Sequence, residues 1–236
     1  MHSVVILDLD GTVLSVNSFR LWVTQMLRAH YPHLSPHRRL GLALRAGGAL
    51  AARKAGLIDH ETLKWRLQGI WQQATDGDGG ASMQALNDRL YRHVRPELVT
   101  LLEAVADGRI DAVLATAAVA DYAGDLGRQL GVPHVLATPA HRARHVPSNV
   151  GTHKRDAVLD FLTRRGWQHR PRILFTDHED DLPLIEVCGT VYWFGEEHEL
   201  FDLAGRFPGT LLRPGSRGSE ILPPGGDEWQ DRRHQC

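Results

Sequence analysis

The sequence predicts a doubly wound α/β core, a parallel sheet covered by helices on both faces, interrupted after its first strand by an inserted all-α cap. Three observations predict it. The chain opens with an apolar, β-branched run that stops at acidic residues and a glycine. A long middle stretch then keeps helical spacing with no convincing strand in it. Beyond Pro96, strand-like and helix-like segments alternate regularly.

Residues 3–9, SVVILDL, read as a buried strand that delivers Asp8 and Asp10 at its carboxyl end. Apolar positions then recur at helical spacing in four groups. These are Phe19, Leu21, Trp22, Met26 and Leu27; Leu40, Leu44 and Leu50; Leu63, Leu67, Ile70 and Trp71; and Met83, Leu86 and Leu90. Pro32, Pro36, Gly56 with Asp59 as a helix N-cap, and DGDGG at 76–80 punctuate four helices. Pro96 suits the first turn of a helix ending near Asp107. Strands follow at 110–116, 134–138, 172–177, 190–194 and 210–213, with helices at about 119–130, 153–165, 180–188 and 196–205. The alternation implies right-handed crossovers. It divides the chain into a discontinuous core (1–14 and 96–213), a cap (15–95) and a Gly- and Pro-rich tail (214–236) expected to be poorly ordered.

With 236 residues, 42% of them apolar, the chain can bury a proper core, and its formal charge of −1 excludes both general disorder and a general nucleic-acid binder. The neutrality is composite. Residues 15–95 hold 12 Lys or Arg against 5 Asp or Glu, and the remainder holds 15 against 23. The uncharged stretch 46–52, bounded by Arg45 and Arg53, is far short of a membrane span, and MHSVVILDLD lacks a basic signal-peptide start. A cytosolic (cytoplasmic) location is expected. Cys188 and Cys236 suit neither a disulfide framework nor a Cys-based zinc site. The 14 histidines form loose groups, His30, His33 and His37, then His141 and His145, without the helical spacing of a zinc site; scattered surface histidines are expected.

In such sheets ligands bind outside the carboxyl ends of the strands. Side chains alternate along a strand, so Asp8 and Asp10 of Asp8-Leu9-Asp10-Gly11-Thr12 start on one side, and Gly11 lets the chain turn at once. Three further segments end on chemistry-bearing residues: ATAA with Thr116, GTHKRD with Lys154, and TDHEDDLPL with Asp177 and Asp181. In type, order and placement these four motifs resemble those of the haloacid dehalogenase superfamily, over nearly the whole chain before the tail. An insertion between the first and second motifs, and D-x-x-x-D-L-P at the fourth, resemble its phosphoserine-phosphatase-like branch. Only about 36 residues separate Thr116 from the third motif, too few for a cap there.

The resemblance implies a Rossmann-like core and a phosphatase that hydrolyses a small-molecule phosphomonoester through an aspartyl-phosphate. A doubly charged ester resists an anionic nucleophile, so a hard cation, Mg2+, is needed between them. In the family's terms Asp8 is nucleophile and metal ligand. Asp10 gives its backbone carbonyl to the metal and its carboxyl group to general acid–base work. Asp177 completes the protein ligands, and Asp181 holds metal-bound water or orients Lys154. Thr116, with Ala117 and the backbone N–H groups beginning the next helix, grips the phosphoryl oxygens, and Lys154 neutralises them. A second Asp favours a phosphatase over a dehalogenase. A phosphomutase, a lipid-head-group phosphatase at a membrane surface and a non-catalytic binding module stay as alternatives.

The resemblance also speaks to the substrate. Phosphoserine-specific relatives carry a Glu about nine positions after the nucleophile, where this chain has Asn17, so phosphoserine is doubtful. Asn17, Ser18 and Arg20 are candidates to line the pocket, and Phe19 and Trp22 could equally be core residues. His178 is expected to face solvent. The acid-free run containing Arg38, Arg39, Arg45, Arg53 and Lys54 is expected to be a solvated basic surface; an interfacial helix on anionic lipid is the lesser alternative, since no aromatic anchor accompanies it.

Overall fold

A computed structural model describes residues 3–28, 31–78, 80–140 and 146–217. The first strand, β1 (Val4–Leu7), is followed by four helices: α1 (Ser18–Arg28), α2 (Pro36–Lys54), α3 (His60–Thr75) and α4 (Ala81–Tyr91). A 3-10 turn at Pro96–Leu98 leads into α5 (Val99–Ala106). The alternating part comprises β2 (Asp111–Val119), α6 (Ala120–Gln129), β3 (Val135–Thr138), α7 (Gly151–Arg164), β4 (Arg172–Thr176), α8 (Leu182–Ile185), β5 (Thr190–Trp193), α9 (Glu197–Arg206) and β6 (Leu211–Pro214).

The six strands form one sheet in the order β3-β2-β1-β4-β5-β6, with every pairing parallel. All four residues of β1 are buried, as a strand covered on both faces requires. Val4 and Ile6 pack with Val158 and Leu162 of α7 and with Leu184 and Ile185 of α8. Val5 and Leu7 point into a second cluster with α5 and α6, which runs on into the cap through Trp22, Leu67, Trp71, Leu86 and Leu90. Trp22 meets Trp71 edge-on at 5.9 Å and Tyr122 of α6 at 6.2 Å, so the cap is packed onto one face of the core.

Local chemistry sets the helix starts. Pro36 occupies the first turn of α2, and the Asp59 side chain accepts the Thr62 N–H at 2.7 Å to cap α3. Three boundaries differ from the sequence reading. β2 runs on to Val119, because the chain shifts register between Ala115 and Val119 instead of turning straight into a helix. The helix expected over 180–188 shrinks to a 3-10 turn plus α8. Pro214, the first residue of the expected tail, pairs with Trp193 in the sheet, while residues 218–236 lie outside the described residues.

Candidate active site

Three neighbouring strand ends build the site, beside the gap where the strand order reverses. Past β1 the Asp8 N–H still donates to the Phe175 carbonyl of β4 at 2.9 Å, and the chain then folds back as Leu14 N–H reaches the Leu9 carbonyl at 2.8 Å. Gly11 makes that turn at φ +77°, in the left-handed region, and Asp177 lies across it: a Cβ on Gly11 would collide with Asp177 Oδ2. Thr12 Oγ donates to Asp177 Oδ1 at 3.0 Å and ties the end of β4 to the β1 loop.

Lys154, in the first turn of α7, is buried between two carboxylates. Its Nζ donates to Asp8 Oδ1 at 2.6 Å and to Asp181 Oδ2 at 2.8 Å, and Thr176 Oγ also donates to Asp181 Oδ2, at 2.6 Å. Burial opposes the ammonium charge, but Asp181 and Asp8 outweigh it and hold Lys154 above the ordinary lysine range. Burial pushes the Asp8 carboxyl up to about 8 against the pull of Lys154. Asp10 and Asp177 are raised for the same reason, opposed by hydrogen bonds from Ser18 and Thr12 respectively.

Asp10 joins core to cap. Its Oδ1 accepts the Ser18 N–H at 2.7 Å, the first N–H of α1, where a carboxylate also meets the positive end of the helix dipole. Ser18 Oγ and the Tyr122 hydroxyl are paired at 2.6 Å behind it. A second tie comes from one face of α3, at the three- and four-residue spacing that aligns side chains. Glu61 accepts the Ser148 N–H at 3.1 Å, and Lys64 Nζ donates to the Ala117 carbonyl at 3.0 Å. Gln68 donates to the Pro139 carbonyl at 2.9 Å, and Gln72 to the Ala140 carbonyl at 3.1 Å.

Between these parts lies a cleft of about 370 Å3. Asp8, Asp10, Asn17, Thr116, Ala117, Lys154, Asp177 and Asp181 all line it, whereas two residues expected there, Ser18 and Arg20, do not; Ser18 is wholly buried behind Asp10. Arg20 is exposed on α1 and is not among the lining residues. Thr116 is buried, and its Oγ accepts the Ala118 N–H at 3.0 Å; the next helix begins only at Ala120. His178 sits at the rim with a largely exposed side chain, accepting the Asp180 N–H on Nδ1 at 3.1 Å.

Among the lining residues that sequence reasoning passed over, three carry polar or titratable groups of the cap side and α6. Lys64, His60 and Tyr122 also line the cleft, with the His60 ring 5.3 Å from that of Phe19 and its pKa lowered by burial and by Lys64. A lysine beside the apolar positions Leu63 and Leu67 was the available signal, but helical periodicity does not say what the neighbouring face meets. Trp22 is wholly buried, whereas Phe19 is half-buried and lines the cleft.

The family model for haloacid dehalogenase-like hydrolases matches residues 5–186, a span that includes all four motifs. The chain belongs to the haloacid dehalogenase-like hydrolase family. Among solved structures, a Bordetella pertussis Tohama I protein of unknown function is similar at 16% identity and a TM-score of 0.68, over 90% of this chain and 99% of that one. A probable phosphoserine phosphatase from Vibrio cholerae is similar at 11% identity and a TM-score of 0.58, over 94% of this chain and 64% of that one. A substrate-bound phosphoserine phosphatase matches at 8% identity and a TM-score of 0.51, over 94% and 97%. At these identities the likeness is one of fold, and it places this hydrolase with phosphoserine-phosphatase-like architectures. No curated protein matches the chain.

Proposed function

We propose that the chain is a magnesium-dependent phosphatase that hydrolyses a small phosphomonoester through an aspartyl-phosphate on Asp8. The observation that carries this reading is the buried Asp8–Lys154–Asp181 bridge at the end of β1, in a cleft shared with Asp10, Thr116 and Asp177. Membership of the hydrolase family supports it. The cleft volume lies at the small end of ligand sites, roughly 300–1,000 Å3, which suits a metabolite.

The donor set fits a hard divalent cation. Among the described residues no three His, Cys, Asp or Glu side chains gather into a ready ligand cluster, and His30, His141 and His145 lie outside the described residues. Two carboxylates, Asp8 and Asp177, with the Asp10 carbonyl would hold magnesium, the remaining positions going to water as that ion prefers. Burial raises the pKa of Asp8 and Asp177, and a cation bound between them would favour their ionised forms and offset that cost. Bound there, magnesium would shield the phosphoryl oxygens from the attacking carboxylate.

Asp8 attacks phosphorus, forming one P–O bond as the ester P–O bond breaks. The departing alkoxide takes the Asp10 proton, which the raised Asp10 pKa keeps available. Asp10 then accepts a proton from the water that attacks the aspartyl-phosphate, releasing phosphate and restoring Asp8. Lys154 offsets the charge spreading over the phosphoryl oxygens, Asp181 fixes its position, and Thr116 holds one of those oxygens. Asp8→Asn is expected to cut turnover of an aryl phosphate with magnesium by roughly a thousandfold or more. Its circular dichroism should match wild type; a folded Asp8→Asn protein that retains full activity would refute the proposal.

A further inference from the structure

The solvent side of α2 has an unusual composition. The helix packs on α3 and buries Ala46 and Ala49. At about 100° per residue, Leu40, Leu44, Gly47, Gly48 and Ala51 fall within an arc of about 100° on the opposite side. Leu40 and Leu44 are 61% and 66% exposed, and nothing lies within 4 Å of where a Cβ on Gly47 or Gly48 would be. A helix on the outside of a domain ordinarily carries its charges along the middle of its wet face. Here they lie along the margins: Arg38 and Arg45 beyond one edge of the strip, where Arg45 also donates to Gln73 of α3 at 2.7 Å across the exposed surface, and Lys54 beyond the other. Beside Leu40 an apolar groove of about 240 Å3 opens between α1 and α2, lined by Met26, Leu27 and Tyr31.

Charge decides what could cover this face. α2 holds five basic residues and no acidic one. A second copy docked by two-fold symmetry would meet the same cations across the seam, which is repulsive. An anionic lipid surface satisfies both features. The leucines enter the boundary between headgroups and acyl chains, while flanking Arg and Lys stems lie along the apolar strip and their heads reach lipid phosphates. Among the described residues no helix is long and apolar enough to cross a membrane, so the contact is a surface one.

We propose that α2 is a membrane-contact helix that docks the cap on anionic phospholipid through Leu40 and Leu44, with Arg38, Arg45 and Lys54 at the rim. The lining residues of the catalytic cleft come from other elements, so this surface and the cleft can be occupied together. The proposal does not depend on the phosphatase reading.

The test is sedimentation of the full chain with vesicles of mixed phosphatidylglycerol and phosphatidylcholine, and with phosphatidylcholine alone. The chain should be retained by the mixed vesicles at low salt, released at high salt, and left in solution by phosphatidylcholine. Lys54→Ala should lower the partition constant about fivefold, and Arg38→Ala with Arg45→Ala about 25-fold, at about fivefold per cation near the surface. Leu40→Gln with Leu44→Gln should lose most of the retention; these side chains face water, so circular dichroism should be unchanged. Failure of wild type to bind mixed vesicles at low salt overturns the proposal, as does equal retention by phosphatidylcholine. A dimer in velocity sedimentation that the leucine variant dissociates, without vesicle binding, also overturns it and assigns the face to self-association.

Discussion

Replacing Lys154 with Met removes the ammonium that Asp8 and Asp181 share. All three residues are less than a tenth exposed, and the bonds are 2.6 and 2.8 Å. Deleting one member of such a buried network costs about 3–5 kcal/mol, because the partners are left charged and dry. The cost depends on pH. The folded pKa of Asp8 is raised above its unfolded value to about 8, and losing Lys154 raises it further. Between the unfolded pKa and the folded one the native state binds the extra proton, so stability falls as pH rises through that window. Lys154 itself is shifted upward, so in wild type it stays charged throughout the window. Near pH 5 the Asp8 carboxyl of the variant is protonated, and the loss shrinks toward that of the hydrogen bonds, about 1–2 kcal/mol. At about 2–4 °C per kcal/mol for a chain of this size, Tm should fall by about 6–20 °C at pH 8 and by about 2–8 °C at pH 5. Thermal unfolding in EDTA, followed by circular dichroism at both pH values, measures this. Equal losses, or a larger loss at pH 5, would refute the picture of two buried carboxylates held by one cation.

Gly11→Ala forces a left-handed φ of +77° on a residue with a Cβ and drives that Cβ into Asp177. The backbone cost of about 1–2 kcal/mol, with about 1 kcal/mol for the Thr12–Asp177 hydrogen bond, should lower Tm by about 4–12 °C and weaken magnesium binding in calorimetry. Wild-type values for both would show that the turn does not hold Asp177. Magnesium should raise Tm more at pH 8 than at pH 5, since burial raises Asp8 and Asp177 and protons displace the metal as pH falls. Identical shifts at the two pH values would count against this carboxylate donor set.

The α/β core and its helical insertion were legible because each has a strong local signature. The 3–9 run is apolar on both faces, and the cap holds its helical period through four segments that became α1 to α4. The candidate site was legible for a related reason: strand ends bring their residues to one edge of a parallel sheet whatever the side-chain detail, so Asp8, Thr116 and Asp177 had to meet. Boundaries fared worse where tertiary pairing overrides propensity. The register shift after Ala115 keeps 117–119 extended, and Pro214 is held by pairing with β5 despite its tail-like composition. Arg20 looked like a pocket residue from its closeness in sequence to Asn17, but its side chain is exposed and lies outside the cleft.

The roles within the cap depended wholly on the tertiary structure. Composition showed that residues 15–95 are cationic, but charge counts carry no direction. Lys64 is turned inward onto the Ala117 carbonyl, whereas Arg38 is exposed and Arg45, also exposed, reaches across to Gln73 of α3. These residues are alike in chemistry and separate only when α2 and α3 pack against each other. By itself the sequence determined the sheet, the inserted helices and which chemical groups reach the strand ends, because local periodicity and the geometry of parallel strands suffice for that. Only the tertiary structure decided that Lys154 bridges Asp8 and Asp181, that α3 clasps the core and that α2 offers its leucines to the outside, because those facts rest on contacts between segments distant in the chain.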